Sequence, residues 1–161
     1  HGTWDSYVKE EFELDKRLEL LAQLEILPAA ELQELARIVE NAKPDDGHAR
    51  LNHSDLRLKN VIVDEGGDIA AIVDWEECVS TIAPQWELSI ALHDLSIDEK
   101  HALIEGYGLS SCQVKEMAPL IKAFNILNYS RAIEQAIAAQ DDKALNNLKL
   151  RLLGSLDLYS L

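Results

Sequence analysis

The sequence has few cysteines, no long apolar run and no leader-like opening, and each absence excludes a class of protein. Cys78 and Cys112 are its two cysteines, too few for a disulfide-stapled scaffold and typical of a reducing, cytoplasmic setting. No apolar run approaches the roughly 18 residues of a membrane-spanning helix. Residues 1–4 (His-Gly-Thr-Trp) lack the character of a signal peptide. We therefore expect a cytoplasmic protein without a membrane partner.

Basic residues are also scarce. Lysine and arginine number 15 against 29 aspartate and glutamate residues, so the formal net charge is −14. A surface this acidic repels phosphate backbones and anionic lipid, which argues against a nucleic-acid partner and against a membrane-surface partner. The same charge is compatible with a cationic small molecule.

The length and the apolar content predict one globular domain. The 161 residues suffice for a hydrophobic core, and 47% of them are apolar. We expect a single domain over residues 1–161, mainly α with a small β-hairpin. The chain begins at His1 rather than at Met, so we expect it to be processed or to be cut from a longer protein.

Periodicity and turn residues predict the elements. Apolar residues three and four apart predict helices over residues 3–26 and from Pro28 to about Asn41, and residues 43–47 (Lys-Pro-Asp-Asp-Gly) predict a break. Two β-branched runs, 61–63 and 69–73, flank a glycine-containing turn and predict a β-hairpin. Further helices are expected over the following ranges: 84–95, 98–107 with Asp98 as its cap, 111–140 with a break or kink at Pro119, and 142–159.

Polar residues cluster at both ends of the apolar hairpin, where strand ends present side chains to a cleft. Asp55 is followed five residues later by Asn60, and Asp74 follows the hairpin. Phosphoryl transfer needs a carboxylate that orients or accepts the proton of the attacking hydroxyl, and oxygen ligands that hold Mg²⁺ on the nucleotide phosphates. The order Asp, Asn, hairpin, Asp matches the catalytic loop and metal site of kinases.

At this point the sequence resembles the aminoglycoside phosphotransferase and choline kinase-like family, which has the protein-kinase-like fold. The residues that carry the resemblance are His53-Ser54-Asp55 with Asn60, then Val73-Asp74-Trp75-Glu76, then 83–88 (Ala-Pro-Gln-Trp-Glu-Leu). The resemblance implies transfer of the ATP γ-phosphate to the hydroxyl of a small molecule that in this family is often cationic. It implies these roles: Asp55 as catalytic base, Arg57 as charge stabiliser, Asn60 and Asp74 as Mg²⁺ ligands, and His53 as a structural brace of the loop.

The chain departs from the family pattern at several positions. Ser54 replaces a glycine, so the loop is strained if its backbone needs a positive φ there. Glu87 replaces an aspartate, and both Glu76 and Glu87 are candidates for contact with the substrate or for support of the site. No G-x-G-x-x-G loop or strand lysine precedes His53. The chain thus resembles the C-terminal lobe alone, without the nucleotide-binding N-terminal lobe, and we expect it to be poorly active alone and to associate with itself or with that missing lobe.

Two other functions remain open at this stage. The first is a non-catalytic kinase-like lobe that acts as a binding or regulatory module. The second is a metal-dependent hydrolase whose ligands would be His53, Asp55, Asp74 and Glu76, although such sites usually contain more histidine.

Overall fold

The computed structural model describes residues 3–42 and 48–158, and these residues are mainly helical with small antiparallel sheets. This content confirms the expected mainly α chain with a small β element, while its identity as a kinase-like lobe stays a prediction. The predicted break at residues 43–47 lies outside the described residues. None of the helices in the described ranges is long and apolar enough to cross a lipid bilayer.

The elements alternate between helices and short strands along the chain. The helices are α1 (Trp4–Ser6), α2 (Leu14–Gln23), α3 (Ala29–Asn41), α4 (Pro84–Ala91), α5 (Ile97–Tyr107), α6 (Ser111–Ala138) and α7 (Asp142–Leu158). The strands are β1 (Arg50–Asn52), β2 (Val61–Val63), β3 (Ile69–Ile72) and β4 (Val79–Thr81). A π-helical turn spans Tyr7–Glu11, and 3₁₀ turns span Leu58–Asn60 and Trp75–Glu77.

The described residues form two compact units. Residues 48–117 contain all four of the described strands, and we call them the sheet unit. Residues 3–42 and 118–158 form the helical unit. The expectation of a single kinase-like lobe over residues 1–161 stays a prediction.

The helical unit has an aromatic and aliphatic core. Phe12 and Phe124 meet edge to face with their ring centroids 5.0 Å apart, and both are buried. The expected single helix over residues 3–26 is wrong, because Glu13 has a φ of 53° and separates the π-helical turn from α2. A left-handed residue cannot continue a right-handed helix. The Arg17 guanidinium donates to the Phe12 carbonyl at 2.6 Å and so secures this junction.

Helix α6 continues through Pro119, so the break that was one of the two expected outcomes there is absent. A proline inside a helix removes one backbone hydrogen bond. The residues that follow it in α6 include Ile121, Ala123 and Phe124, which are buried in the helical unit. Their burial stabilises this part of α6.

The sheet unit contains the expected hairpin and a second strand pair. β2 and β3 pair antiparallel with Val61 opposite Ile72, which confirms the hairpin. Its turn is closed by the Asp64 carboxylate, which accepts from the N–H groups of Gly66 and Asp68. β1 and β4 also pair antiparallel, with Arg50 opposite Thr81, and the sequence analysis did not predict this pair.

The helices of the sheet unit differ in detail from expectation. α4 ends at Ala91 rather than at residue 95. α5 is capped by Ser96 and not by Asp98, since the Ser96 hydroxyl accepts from the Glu99 N–H while the Glu99 carboxylate accepts from the Ser96 N–H. Gly108 ends α5 with a φ of 81°, a conformation that glycine adopts without strain.

Candidate functional site

The two strand pairs are nested, and this nesting positions the candidate site. The β2–β3 hairpin lies between β1 and β4 in the chain, so residues 53–60 join β1 to β2 and residues 73–78 join β3 to β4. The first segment therefore enters β2, and the second leaves β3, at the end of the hairpin opposite its turn. The Val73 N–H donates to the Asn60 carbonyl at 2.9 Å, which ties one segment to the other.

His53 connects the same two segments through its side chain. The imidazole is 4% exposed, and its Nε2 lies 2.8 Å from the Val73 carbonyl oxygen. Its Nδ1 accepts from the Asp55 N–H at 3.3 Å. Because a carbonyl can only accept and an amide N–H can only donate, these partners require the tautomer with the proton on Nε2. His53 thus links the residue before Asp74 to the backbone of Asp55.

Ser54 has a φ of 70°, in the left-handed region that favours glycine. Its N–H donates to Glu87 Oε2 at 2.9 Å, so a carboxylate from α4 holds this turn of the loop. The Ser54 Oγ and the Glu87 Oε1 are both buried without a hydrogen-bond partner among the described residues. Glu87 therefore holds the loop backbone through this hydrogen bond. The positive φ that was expected to strain a serine at this position is present.

The Asp55 carboxylate is bound on both oxygens. Arg57 Nε lies 2.9 Å from Oδ1, Lys59 Nζ lies 2.8 Å from Oδ2, and Asn60 Nδ2 donates to Oδ2 at 3.1 Å. Burial by itself would raise the pKa of Asp55, but the hydrogen bonds from Lys59 and Asn60 and the charge of Arg57 outweigh it and hold the pKa below its usual value. The carboxylate is therefore ionised at neutral pH.

Asn60 and Asp74 present the oxygen atoms that a hard cation prefers. Asn60 is buried, and its Nδ2 also donates to the Asp55 carbonyl at 2.8 Å, which leaves the amide oxygen for a ligand. Asp74 has a φ of 70° and is exposed, and its carboxylate has no hydrogen bond or ion pair within the described part of the chain. Carboxylate and amide oxygens fit Mg²⁺, which keeps several waters and takes one or two protein ligands beside substrate phosphates.

Arg57 and Lys59 make this a charge cluster that the sequence analysis described only in part. Arg57 also reaches Asp94, with its Nη1 3.4 Å from the carboxylate oxygen Oδ2, so the guanidinium is shared between two acids. Lys59 was not among the site residues predicted from the sequence. An opposite charge four residues after Asp55 was the available signal, but without the 3₁₀ turn at Leu58–Asn60 the spacing alone does not indicate an ion pair.

The ligand set of the alternative hydrolase is not assembled. His53 and Asp55 are engaged by the loop, and Glu76 is exposed in the 3₁₀ turn after Asp74. Within residues 3–42 and 48–158, no group of three or more histidine, cysteine, aspartate or glutamate side chains is placed to hold a metal ion.

Comparison with known proteins gives one result. No curated protein and no solved structure matches the chain significantly. A family model described as the phosphotransferase enzyme family (APH) matches residues 2–120 of the 161, a range that contains the loop, the hairpin and α4. The chain therefore belongs to the phosphotransferase enzyme family, which confirms the resemblance drawn from His53, Asp55, Asn60 and Asp74.

Proposed function

We propose that this protein transfers the γ-phosphate of ATP to a hydroxyl group of a small molecule, with Mg²⁺ as the metal. The observation that carries the proposal is the double hydrogen bonding of Val73, whose N–H binds the Asn60 carbonyl and whose carbonyl faces His53. These bonds hold Asp74 beside the loop of Asp55 and Asn60. A base and two metal-binding oxygens at one end of a hairpin are what phosphoryl transfer needs.

The reaction assigns a distinct task to each side chain. The acceptor oxygen forms a bond to the γ-phosphorus while the bond from that phosphorus to the bridging oxygen breaks, and the electron pair leaves with ADP. The hydroxyl proton passes to the Asp55 carboxylate, which is ionised and ready to orient and accept it. The Arg57 guanidinium, which lies at the same carboxylate, stabilises the negative charge of the transferring group.

Asn60 and Asp74 would hold the metal through the Asn60 amide oxygen and the Asp74 carboxylate. When bound, Mg²⁺ neutralises charge on the nucleotide phosphates. His53 and Glu87 take no part in the chemistry and position the loop, one through Val73 and the other through the Ser54 N–H.

Binding of ATP with and without Mg²⁺ to the Asp74→Asn variant tests the proposal. We expect the variant to bind Mg²⁺–ATP at least about tenfold more weakly by calorimetry, because a neutral amide replaces a charged metal ligand. Its free energy of unfolding should change by less than about 0.5 kcal/mol, since the Asp74 carboxylate is exposed. Asp68→Asn, which removes the same charge from the turn of the same hairpin, is the control.

Three results would contradict the proposal. Equal Mg²⁺–ATP affinities in Asp74→Asn, Asp68→Asn and the unmodified chain would show that Asp74 binds no metal. Tight metal binding that does not depend on nucleotide would favour the hydrolase, and neither metal nor nucleotide binding would favour the non-catalytic module.

A further inference from the structure

Two cationic side chains flank the Asp55 carboxylate, one on each oxygen. The Arg57 and Lys59 side chains are 42% and 59% exposed, whereas the Asp55 side chain is 24% exposed. The cations therefore form the solvent side of this cluster. A hydroxyl group that binds the Asp55 carboxylate therefore lies close to both of them.

Lys59 has hydrogen-bonding capacity that the protein leaves unused. An ammonium group has three N–H donors, and the Lys59 ammonium has Asp55 as its one ion-pair partner among the described residues. Arg57 differs, because it is shared between Asp55 and Asp94. Arg57 would have to give up Asp94 to bind a further negative group. Lys59 could bind such a group and keep its ion pair with Asp55.

The two cations also restrict the charge of the acceptor. A positively charged acceptor would bring a third cation to Asp55, whose two carboxylate oxygens are already paired with Arg57 and Lys59. The other carboxylates of the site are not available to that cation, since Asp94 is paired with Arg57 and Asp74 is assigned to the metal. An acceptor that carries an oxyanion group can instead bind the unused N–H donors of Lys59.

We propose that the acceptor carries a carboxylate or phosphate group, and that Lys59 binds this group while the acceptor hydroxyl faces Asp55. This inference rests on the proposed function, because it is the transfer reaction that brings the hydroxyl to Asp55. It departs from the cationic acceptor that the family resemblance implied. Lys59 is on this basis a specificity-determining residue, and an acceptor hydroxyl close to an oxyanion group is its preferred substrate class.

Three alcohols with the same carbon skeleton and different charge test the inference. Glycerol phosphate, glycerol and 3-amino-1,2-propanediol are titrated into the chain without nucleotide, and the Asn60 side-chain amide signals are followed by NMR. We expect saturable shifts with glycerol phosphate only. Lys59→Gln should weaken that binding at least about tenfold, and Lys59→Arg should restore most of it, because both cations can bind an oxyanion.

The matched control is Lys115→Gln, which removes the same charge from an exposed lysine of α6. Its affinity for glycerol phosphate should equal that of the unmodified chain. Equal weakening in Lys59→Gln and Lys115→Gln would reduce the effect to net charge and overturn the inference. Binding of the amino alcohol as tight as that of glycerol phosphate, or no binding of glycerol phosphate at all, would overturn it as well.

A parallel titration with Mg²⁺–ATP separates this inference from the proposed function. We expect Lys59→Gln to bind Mg²⁺–ATP as the unmodified chain does. If instead it loses Mg²⁺–ATP, and glycerol phosphate competes with the nucleotide, then Lys59 binds nucleotide phosphates and the inference fails while the phosphotransferase proposal stands. If the chain binds glycerol phosphate through Lys59 but never binds Mg²⁺–ATP, the proposed function fails and the anion site remains.

Discussion

At the scale of single residues, Ser54 has a backbone conformation that is unfavourable for a serine. Its φ of 70° costs a non-glycine residue about 1 kcal/mol or more, and its buried Oγ has no partner among the described residues. The hydrogen bond from its N–H to Glu87 helps to keep the residue in this conformation. The site therefore carries local strain at the residue directly before Asp55.

Replacing Ser54 with glycine should stabilise the protein by about 1 kcal/mol, because glycine adopts a positive φ without steric cost and removes the unpaired hydroxyl. Chemical denaturation gives the free energy of unfolding. The control is Ser80→Gly in β4, an extended and exposed position, where the same change should cost about 0.5–1 kcal/mol. Destabilisation of similar size at both positions would show that Ser54 is not strained.

Residue-scale features divide clearly into those that the sequence revealed and those that it concealed. The spacing of Asp55, Asn60 and Asp74 was legible, because the loop and the hairpin are contiguous in the chain. The ion pair between Lys59 and Asp55 could not be predicted, because it depends on the 3₁₀ turn that brings Lys59 Nζ to 2.8 Å from the Asp55 carboxylate. The roles of these residues in catalysis stay predictions.

At the scale of elements, α5 and α6 begin with the same kind of N-terminal cap, in which a serine pairs with a charged glutamate in α5 and with a neutral glutamine in α6. Ser96 and Glu99 form a capping box at the start of α5. Ser110 and Gln113 form the equivalent contacts at the start of α6, where the Ser110 N–H donates to the Gln113 side chain and the Gln113 N–H donates to the Ser110 hydroxyl. The pair offers a matched test of the charge.

Ser96→Ala and Ser110→Ala should each destabilise the protein by about 1 kcal/mol at neutral pH, the usual cost of a lost serine cap. They should differ in pH dependence. Hydrogen bonds from the Ser96 hydroxyl and N–H lower the pKa of Glu99, so its contribution is present above the unfolded pKa of about 4.3 and is lost as pH falls through the folded pKa.

The cost of Ser96→Ala should therefore shrink as the pH falls below about 4.3, while that of Ser110→Ala stays constant. Urea denaturation of both variants and the unmodified chain at several pH values measures the difference. Parallel pH profiles for the two variants would mean that the Glu99 carboxylate adds nothing to the cap.

The strands illustrate why elements are harder to predict than motifs. The β2–β3 hairpin was predicted because its two runs are β-branched and its turn contains adjacent glycines. The β1–β4 pair was missed because Arg50–Asn52 and Val79–Thr81 are each three residues long, and their paired residues lie 27 to 31 positions apart in the chain. Three residues carry no readable alternation, and only the folded chain brings such segments together.

At the scale of the whole molecule, apolar exposure favours self-association and net charge opposes it. The hairpin exposes Ile62, Val63 and Ile69 to solvent, and an apolar patch of this kind favours association. The net charge of −14 repels a second copy, but salt screens that repulsion over about 8–10 Å and does not screen apolar burial.

We expect the protein to associate with itself more strongly as salt rises from about 0.02 to 0.2 M, as measured by sedimentation at two protein concentrations. Ile69→Ser, at a residue 68% exposed in the hairpin, should reduce this association. Ile97→Ser, at a residue 79% exposed in α5, should leave it unchanged. A monomer under every condition would contradict the expected self-association.

The sequence by itself determined the family, the order of the site residues and the hairpin, because each is encoded in neighbouring residues whose spacing and turn chemistry are local. The tertiary structure alone decided the contacts that reach across the chain. Glu87 meets the Ser54 N–H over 33 positions, and Asp94 meets Arg57 over 37. Such contacts depend on how α4 and the residues that follow it pack against the loop, and packing is a property of the folded chain as a whole that no short stretch of sequence contains.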